Sequence, residues 1–332
     1  HYIMKDNTGF LWIATEGGLS RFDGYTYQNF KSDPNDSNSL SYSAVNCIIQ
    51  QNDSIFWVST FSGGLNRLNI LENKFKRFTH NPADPNSIST NELKCIAQDN
   101  KNNLWIGTRN NGLVKYDIRN NVFKKYGSRS PDNGNLARTS VENVCVYNDT
   151  LIFISTFNGL YCLNTLTDKI KYYTHNEYDK SSLFNNSVYC VYKDTRNNLW
   201  IGTLGNGLQK FNPLTETFET KKLYYIPKER EEFNGISHIT EDNNNNLLLT
   251  TAGNGNVIKF NTESDTYTLF DLNELIKPES KITQINYSYY DRSNVLWVGT
   301  WNLGLVKFNL SRNNFHSRNL HRWNGLVVSL RA

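Results

Sequence analysis

The amino-acid sequence predicts an all-β protein, a seven-bladed β-propeller with four-stranded antiparallel blades. A phrase similar to "DNKNNLWIGTRNNGLVKYD" (99–117) recurs along the 332 residues at intervals of 45 to 49. A period of about 40 to 50 residues, rich in short strands, is typical of propeller blades. No segment shows sustained helical periodicity, which favours strands throughout. The tryptophan of the phrase is aligned with Trp12, Trp57, Trp105, Phe153, Trp200, Leu248 and Trp297.

Each copy divides into four predicted strands, which at 91–126 are "ELKCIAQ", "NLWIGT", "GLVKYD" and "VFKKY". Polar Asn/Asp turns join strands one to two and three to four, as expected for hairpins. Longer stretches such as "THNPADPNSIST" connect successive blades, and they should emerge beside the loops between strands two and three. The propeller is predicted to cover residues 1–320 with four strands in every copy. Residues 321–332 contain "NGLVVSLRA", which is similar to a first strand and is expected to begin a following blade or propeller.

Composition makes several classes of protein improbable. The 35 basic and 31 acidic residues give a net charge of +4 without a dense Lys/Arg block, which argues against nucleic-acid binding. No apolar run of about 18 residues predicts a membrane-spanning helix, and "HYIMKD" does not resemble a signal peptide. The five cysteines include no C-x-x-C pair. Four of them are interpreted as small buried residues at one repeat position: Cys47, Cys95, Cys145 and Cys190.

Two recurring positions are interpreted as architectural. The tryptophan, replaced by Phe153 and Leu248, suits a large apolar plug between neighbouring blades. The threonine of "LWIGT" is present in all copies, and we expect its hydroxyl to bond backbone, although a threonine ring around a ligand is an alternative. These threonines are Thr15, Thr60, Thr108, Thr156, Thr203, Thr251 and Thr300.

The position after the threonine differs from copy to copy, which is what a ring of loops around one asymmetric ligand requires. Aromatic faces stack on sugar rings, amides match hydroxyl pairs, and arginine offers a planar fork to a carboxylate or sulfate. The alternative is that these loop tips are unconstrained turns facing solvent. The candidate ligand-binding residues are Glu16, Phe61, Arg109, Asn110, Phe157, Asn158, Trp301 and Asn302.

The repeat "D-x-x-x-x-L-W-I-G-T…G-L-x-x-[YF]-[DN]", followed by "F-x-x-[YF]" and by "HNPADPNSIS", resembles the two-component regulator propeller. That family forms the extracytoplasmic sensor region of hybrid two-component systems of Bacteroidetes, which detect glycan fragments. The resemblance implies that this chain is the first of two propellers in a periplasmic sensor and that it binds an oligosaccharide. It also implies a second propeller, a β-sandwich, a membrane helix and a histidine kinase beyond this chain. Family sensors act as dimers, and we expect this propeller alone to be monomeric or weakly dimeric.

Two other functions remain open from the residues themselves. The same face could dock another protein, because an exposed aromatic rim also suits a protein partner. A glycan-cleaving propeller would need two facing carboxylates, yet Glu16 is the only acid on the loops that follow the seven repeat threonines, with Asp84, Glu177 and Asp179 in the connectors. No metal spacing, nucleophile motif or cofactor loop occurs, so no catalytic residue, metal or cofactor is expected. His80 and His175 share a connector position, which favours a repeated structural hydrogen bond.

Overall fold

The structure is a computed structural model that describes residues 2–127, 135–205, 207–221, 223, 235–253, 255–275, 282–310 and 327–328. Its strands form seven four-stranded antiparallel sheets, so the predicted seven-bladed β-propeller is confirmed. The chain divides into two compact units, His1–Val191 and Tyr192–Ala332. Within the described ranges the only helical segments are two short 3-10 helices, Leu136–Arg138 and Leu272–Leu275, and no helix has the length and apolar composition needed to cross a membrane.

Four complete sheets lie in the first unit, and each follows the chain order from its first strand to its fourth. The first two sheets consist of β1 (Tyr2–Lys5), β2 (Leu11–Thr15), β3 (Gly18–Phe22), β4 (Tyr27–Phe30), β5 (Val45–Gln50), β6 (Ile55–Thr60), β7 (Leu65–Asn69) and β8 (Lys74–Phe78). The next two consist of β9 (Leu93–Gln98), β10 (Asn103–Thr108), β11 (Leu113–Asp117), β12 (Val122–Tyr126), β13 (Val141–Val146), β14 (Leu151–Thr156), β15 (Gly159–Asn164) and β16 (Ile170–Tyr173). The four strands predicted at 91–126 are thereby confirmed.

The remaining three sheets have the same up-and-down order. The boundary between the two units falls within β17, the first strand of the fifth sheet. The strands are β17 (Val188–Lys193), β18 (Leu199–Thr203), β19 (Gly207–Asn212), β20 (Thr217–Lys221), β21 (Ile236–Glu241), β22 (Asn246–Thr251), β23 (Asn256–Asn261), β24 (Thr266–Asp271), β25 (Ile285–Asp291), β26 (Val295–Thr300), β27 (Gly304–Asn309) and β28 (Val327–Val328).

The fourth strand of the seventh sheet comes from an unexpected part of the chain. We predicted that four strands would be complete by residue 320, yet β28 lies within 321–332 and pairs with Leu305 and Val306 of β27. These two residues are part of the seventh sheet, which corrects the assignment of this stretch to a following blade. The reason is that "VV" fits any strand edge, so its pattern does not tell which sheet it joins. Whether another propeller follows stays a prediction.

The repeated tryptophan is a buried plug between successive sheets, as predicted. Trp105 lies in a cluster with Ile152, Ile154 and Tyr161 of the next sheet, and its indole N–H donates to the Asp99 carboxylate at 3.0 Å. That carboxylate also accepts the backbone N–H groups of the hairpin turn that joins the first two strands. The aspartate of the repeat therefore closes its own turn and satisfies the buried indole, which identifies it as a structural residue.

The repeated threonine is architectural, which confirms the preferred interpretation. In all seven copies its hydroxyl donates to a backbone carbonyl across the loop that follows, as Thr108 does to Gly112 at 2.8 Å. The same hydroxyl oxygen accepts the N–H of Asn111 at 3.0 Å. Gly112 has φ of +66°, and a Cβ there would lie 2.7 Å from the carbonyl oxygen of Leu136, so only glycine fits. Each threonine thus fixes the backbone of the loop and leaves its tip to vary.

The connector histidines make the structural hydrogen bond that was predicted. Nδ1 of His80 lies 2.7 Å from the carbonyl oxygen of Ile88, and Nδ1 of His175 lies 2.8 Å from that of Leu183. Since a carbonyl only accepts, Nδ1 carries the proton in both rings. Ile88 and Leu183 are fully buried, so each histidine holds a connector against the sheets.

The cysteines are free thiols, but they do not all share one position. Cys47 and Cys95 pair with Ser59 and Gly107, the residues directly before the threonine, whereas Cys145 pairs with Phe153, three residues before Thr156. The expected common position is therefore wrong for Cys145. Cys47 is buried, whereas Cys95 and Cys145 are half-buried. Burial raises the pKa of Cys47 to about 12, so its thiol is protonated and unreactive at neutral pH.

Candidate ligand-binding rim

The divergent loops have fixed backbones and exposed side chains. Besides the threonine clamp, the residue after the threonine donates its N–H to the residue that precedes the first strand of its sheet. This bond is 2.8 Å from Phe61 to Ala44, 3.0 Å from Arg109 to Glu92 and 3.1 Å from Trp301 to Gln284. The loops and the connectors between sheets therefore lie at one end of each sheet, as predicted. Such a frame holds the variable side chains at defined points.

All eight candidate residues are exposed. The aromatic side chains keep 42% (Phe61), 43% (Phe157) and 65% (Trp301) of their surface accessible. Six candidates belong to the first unit, and Trp301 and Asn302 occupy the equivalent loop of the seventh sheet in the second unit. The exposed polar candidates are Glu16, Arg109, Asn110, Asn158 and Asn302.

The structure brings two of the candidates into direct contact. The guanidinium carbon of Arg109 lies 4.7 Å from the centroid of the Phe61 ring, a cation–π arrangement between neighbouring sheets. Two amide candidates are engaged in other ways. The backbone carbonyl of Asn158 accepts from the Tyr172 hydroxyl at 2.5 Å, and Oδ1 of Asn302 accepts from the hydroxyl and the N–H of Thr283. Asn302 therefore stabilises its own connector, which weakens its case as a ligand-binding residue.

The first strands contribute residues that the sequence analysis missed. Where β5, β9 and β13 pair with the end of the strand that carries the threonine, their register shifts by one residue. The extra residues of these β-bulges are Asn46, Lys94 and Glu142. A bulge redirects a side chain out of the regular alternation. Asn46 donates to the carbonyl of Leu93 in the next sheet at 2.6 Å. Each of these three first strands has one residue more than its partner needs, but only the strand pairing identifies which residue is the extra one.

Lys94 and Glu142 form an ion pair between adjacent sheets. Nζ of Lys94 lies 2.5 Å from both carboxylate oxygens of Glu142, and the side chains are 28% and 14% exposed. The Ser140 hydroxyl donates to the same carboxylate at 2.9 Å. Partial burial reduces solvent screening, so this pair is stronger than one on an open surface. It places a fixed, internally neutralised pair of charges beside the divergent loops.

Phe157 joins this pair to a second aromatic ring. Nζ of Lys94 lies 5.6 Å from the Phe157 centroid, and the Phe157 ring meets the ring of Tyr189 edge-on at 5.2 Å between centroids. Burial, with the nearby Glu142 carboxylate as a smaller cause, raises the pKa of Tyr189 and keeps its hydroxyl protonated. We call the six side chains of this part of the first unit the rim surface: Phe61, Lys94, Arg109, Glu142, Phe157 and Tyr189.

The second unit has a different polar feature at its first strands. The His238 ring lies 3.8 Å from the Tyr287 ring between centroids, and its Nδ1 is 3.2 Å from the Ser288 hydroxyl oxygen. Burial lowers the pKa of His238 to about 3, so the imidazole is neutral at physiological pH. The ring is half-buried between the first strands of two neighbouring sheets, which indicates a packing role.

Two of the connector acids considered for hydrolysis, Asp84 and Asp179, accept hydrogen bonds from residues of their own connectors. The Asp84 carboxylate accepts the N–H of Asn86 at 2.9 Å, and the Asp179 carboxylate accepts the N–H and hydroxyl of Ser181. These bonds to Ser181 lower the pKa of Asp179, so it is ionised. Each acid closes a turn of its own connector, and the lowered pKa of Asp179 is opposite to the raised pKa of a general acid.

The fold is a repeat propeller whose loops after the repeated threonines carry exposed side chains that differ from copy to copy. Residues 87–110 and 182–205 match the family model of the two-component regulator propeller. The chain thus contains repeats of the two-component regulator propeller family.

Solved structures extend this likeness along the chain. The extracellular domain of a putative hybrid two-component system from Bacteroides thetaiotaomicron is 28% identical, with a TM-score of 0.76 over 91% of this chain and 39% of that one. A second such domain from the same organism is 21% identical, with a TM-score of 0.69 over 92% of this chain and 37% of that one, and shows the fold alone. The chain spans about two fifths of their length.

A curated relative matches over a short segment. The histidine kinase P4 of Formosa agariphila is 44% identical over 39 residues, which are 12% of this chain and 3% of that protein. The chain is thus similar in sequence and fold to a propeller of the extracellular domain of a putative hybrid two-component system, and it shares a short segment with a histidine kinase.

Proposed function

We propose that this propeller is a ligand-sensing module outside the cytoplasm, in the periplasm, and that it binds an oligosaccharide derived from a complex glycan. The signal would pass to a histidine kinase region outside this chain, together with a second propeller and in a homodimer of the full-length protein. The likeness to the extracellular domain of a putative hybrid two-component system that is 28% identical supports the location and the sensor role. The oligosaccharide is proposed from the rim surface.

The observation that carries the proposal is the exposed Phe157 ring, bordered by Tyr189 and by the Lys94–Glu142 pair. A flat aromatic face with about half of its surface accessible suits the apolar C–H face of a pyranose ring. Charged and amide groups around it suit the hydroxyls at the edge of the sugar. Few polar groups at fixed positions beside an apolar surface are what orients a small ligand.

We propose that the propeller binds without chemistry and without a cofactor. A glycosidase needs two carboxylates that face each other across the scissile bond. The Glu142 carboxylate is neutralised by Lys94, and Asp84 and Asp179 close turns of their connectors. This distribution of bonds supports a binding role over hydrolysis.

The test is calorimetry of the chain with panels of oligosaccharides released from plant and algal polysaccharides, comparing the wild type with Phe157→Ala. We expect loss of the stacked ring to weaken binding by about tenfold, or roughly 1.4 kcal/mol. Tyr25→Ala is the matched control, because Tyr25 is an exposed aromatic in the hairpin turn between β3 and β4, at the opposite end of its sheet. Both variants should keep the melting temperature of the wild type within a few degrees.

The outcomes separate the functions considered. Binding that Phe157→Ala weakens and Tyr25→Ala leaves unchanged supports the proposal. If neither substitution affects binding, the ligand binds at a site other than the rim surface. Shortened products after incubation would establish an enzyme, and the absence of any glycan binding would favour a protein-docking propeller.

A further inference from the structure

The rim surface contains two cations in different electrostatic situations. The ammonium of Lys94 is held by both carboxylate oxygens of Glu142 at 2.5 Å. Within the part of the chain that the structure describes, the Arg109 guanidinium has no carboxylate at ion-pair distance. Its described side-chain contact is the Phe61 ring. Arg109 is therefore the rim cation whose charge is not neutralised.

The position of Arg109 is fixed before any ligand arrives. Its N–H is bonded to Glu92, and the next residues of its loop are clamped by the Thr108 hydroxyl. The guanidinium carbon lies 4.7 Å from the Phe61 ring centroid, within the range of a cation–π contact. This contact involves no oxygen acceptor, so the planar group can still donate its N–H groups to the two oxygens of a carboxylate or sulfate. Little further ordering is needed when an anion binds.

We infer that Arg109 is the recognition point for a negatively charged substituent, a carboxylate or a sulfate ester, on the bound oligosaccharide. The inference rests on the proposed function and adds the class of ligand to it. Lys94 does not serve this role, because an incoming anion would have to displace Glu142. Phe157 contacts the sugar ring, and the substituent contacts Arg109 from the neighbouring sheet. The ligand of this propeller is thus an acidic oligosaccharide.

The experiment uses three tetrasaccharide-sized probes and the complete chain. Oligogalacturonate carries carboxylates, carrageenan oligosaccharide carries sulfates, and galacto-oligosaccharide is neutral. Affinities are measured by calorimetry at low and high NaCl for the wild type, Arg109→Ala and Arg109→Lys. Arg119→Ala is the matched control, because Arg119 is an exposed arginine of the same sheet, in the turn between β11 and β12 at the other end.

We expect at least one acidic probe to bind more tightly than the neutral one and to weaken as NaCl increases. Arg109→Ala should lower its affinity about tenfold to a hundredfold, and Arg109→Lys should restore part of it, since lysine keeps the charge without the fork. Arg119→Ala should bind like the wild type. The probe that responds identifies carboxylate or sulfate as the substituent.

Other results overturn the inference and show which statement fails. If neutral and acidic probes bind equally well, and binding depends on Phe157 but not on Arg109, the inference of an acidic ligand is wrong. The proposed function is then unaffected. Acidic binding that Arg109→Ala and Arg119→Ala reduce equally indicates general attraction by positive charge and also removes the recognition point. The absence of binding by all three probes counts against the inference, and the broader panels above then decide the proposed function.

Discussion

The two ends of the third sheet, β9–β12, are built on opposite principles. At one end, the turn 99–103 is closed by the Asp99 carboxylate, which is bonded to Trp105, Asn103 and backbone N–H groups. At the other end, the threonine clamp holds only the backbone of the loop 108–112, and Arg109 and Asn110 are exposed. The sequence of the first end is similar in most copies of the repeat, whereas the sequence of the second end differs from copy to copy.

The constant residues of the repeat are those that the sheet itself engages. A residue whose hydrogen bonds and packing are satisfied inside the sheet is replaced only at a cost in folding free energy. A loop tip whose backbone is fixed by other residues can change its side chain with little effect on stability. Divergence between copies therefore identifies the surface available for binding.

The largest expected effect tests the engaged end. Trp105→Ala removes a fully buried ring from the cluster with Ile152 and Tyr161 and leaves the Asp99 carboxylate without its indole donor. We expect the free energy of unfolding to fall by about 3–5 kcal/mol, measured by urea denaturation. Trp301→Ala is the matched control and should cost less than about 1 kcal/mol, because Trp301 is exposed. Similar losses in both variants would break the comparison.

A smaller effect is expected at Thr108, where the buried strand β10 meets the variable loop 108–112. Thr108→Val removes a buried hydroxyl that donates to Gly112 and accepts from Asn111, leaving both backbone groups without this partner. The expected loss of stability is about 2–3 kcal/mol. Amide exchange should show faster opening of the Asn111 N–H. Thr108→Ser keeps the hydroxyl and should recover most of the loss; failure to do so would mean that the methyl group, not the clamp, matters.

The smallest effect concerns the rim surface itself. Lys94→Met leaves the mostly buried Glu142 carboxylate with the Ser140 hydroxyl as its described donor, so we expect a loss of about 1–2 kcal/mol. The double variant Lys94→Met/Glu142→Gln removes the unpaired charge and should recover at least half of this. A double-mutant cycle from urea denaturation measures the coupling. A coupling near zero would show that the pair is screened like an open surface pair.

Much of the fold could be predicted from the sequence because its signals are local. Strand positions at 91–126 follow from alternation and turn residues, and both the threonine clamp and the His80 bond lie within short stretches of chain. The assignment of Cys145 failed because an apolar run does not reveal its register. The prediction of the fourth strand of the seventh sheet was also wrong, because β28 is separated from β27 by a long segment of sequence.

The sequence by itself determined the repeat, the four strands of the copy at 91–126, the buried Trp105 and the divergence at Phe61, Arg109 and Phe157. Hydrophobic alternation, turn chemistry and comparison between copies are all readable along one chain. Only the tertiary structure decided that Arg109 lies on Phe61 and that Lys94 pairs with Glu142. These partners are about one repeat apart and belong to adjacent sheets, and the β-bulge redirects Lys94 and Glu142. Contacts of this kind depend on how the sheets pack, which no local pattern specifies.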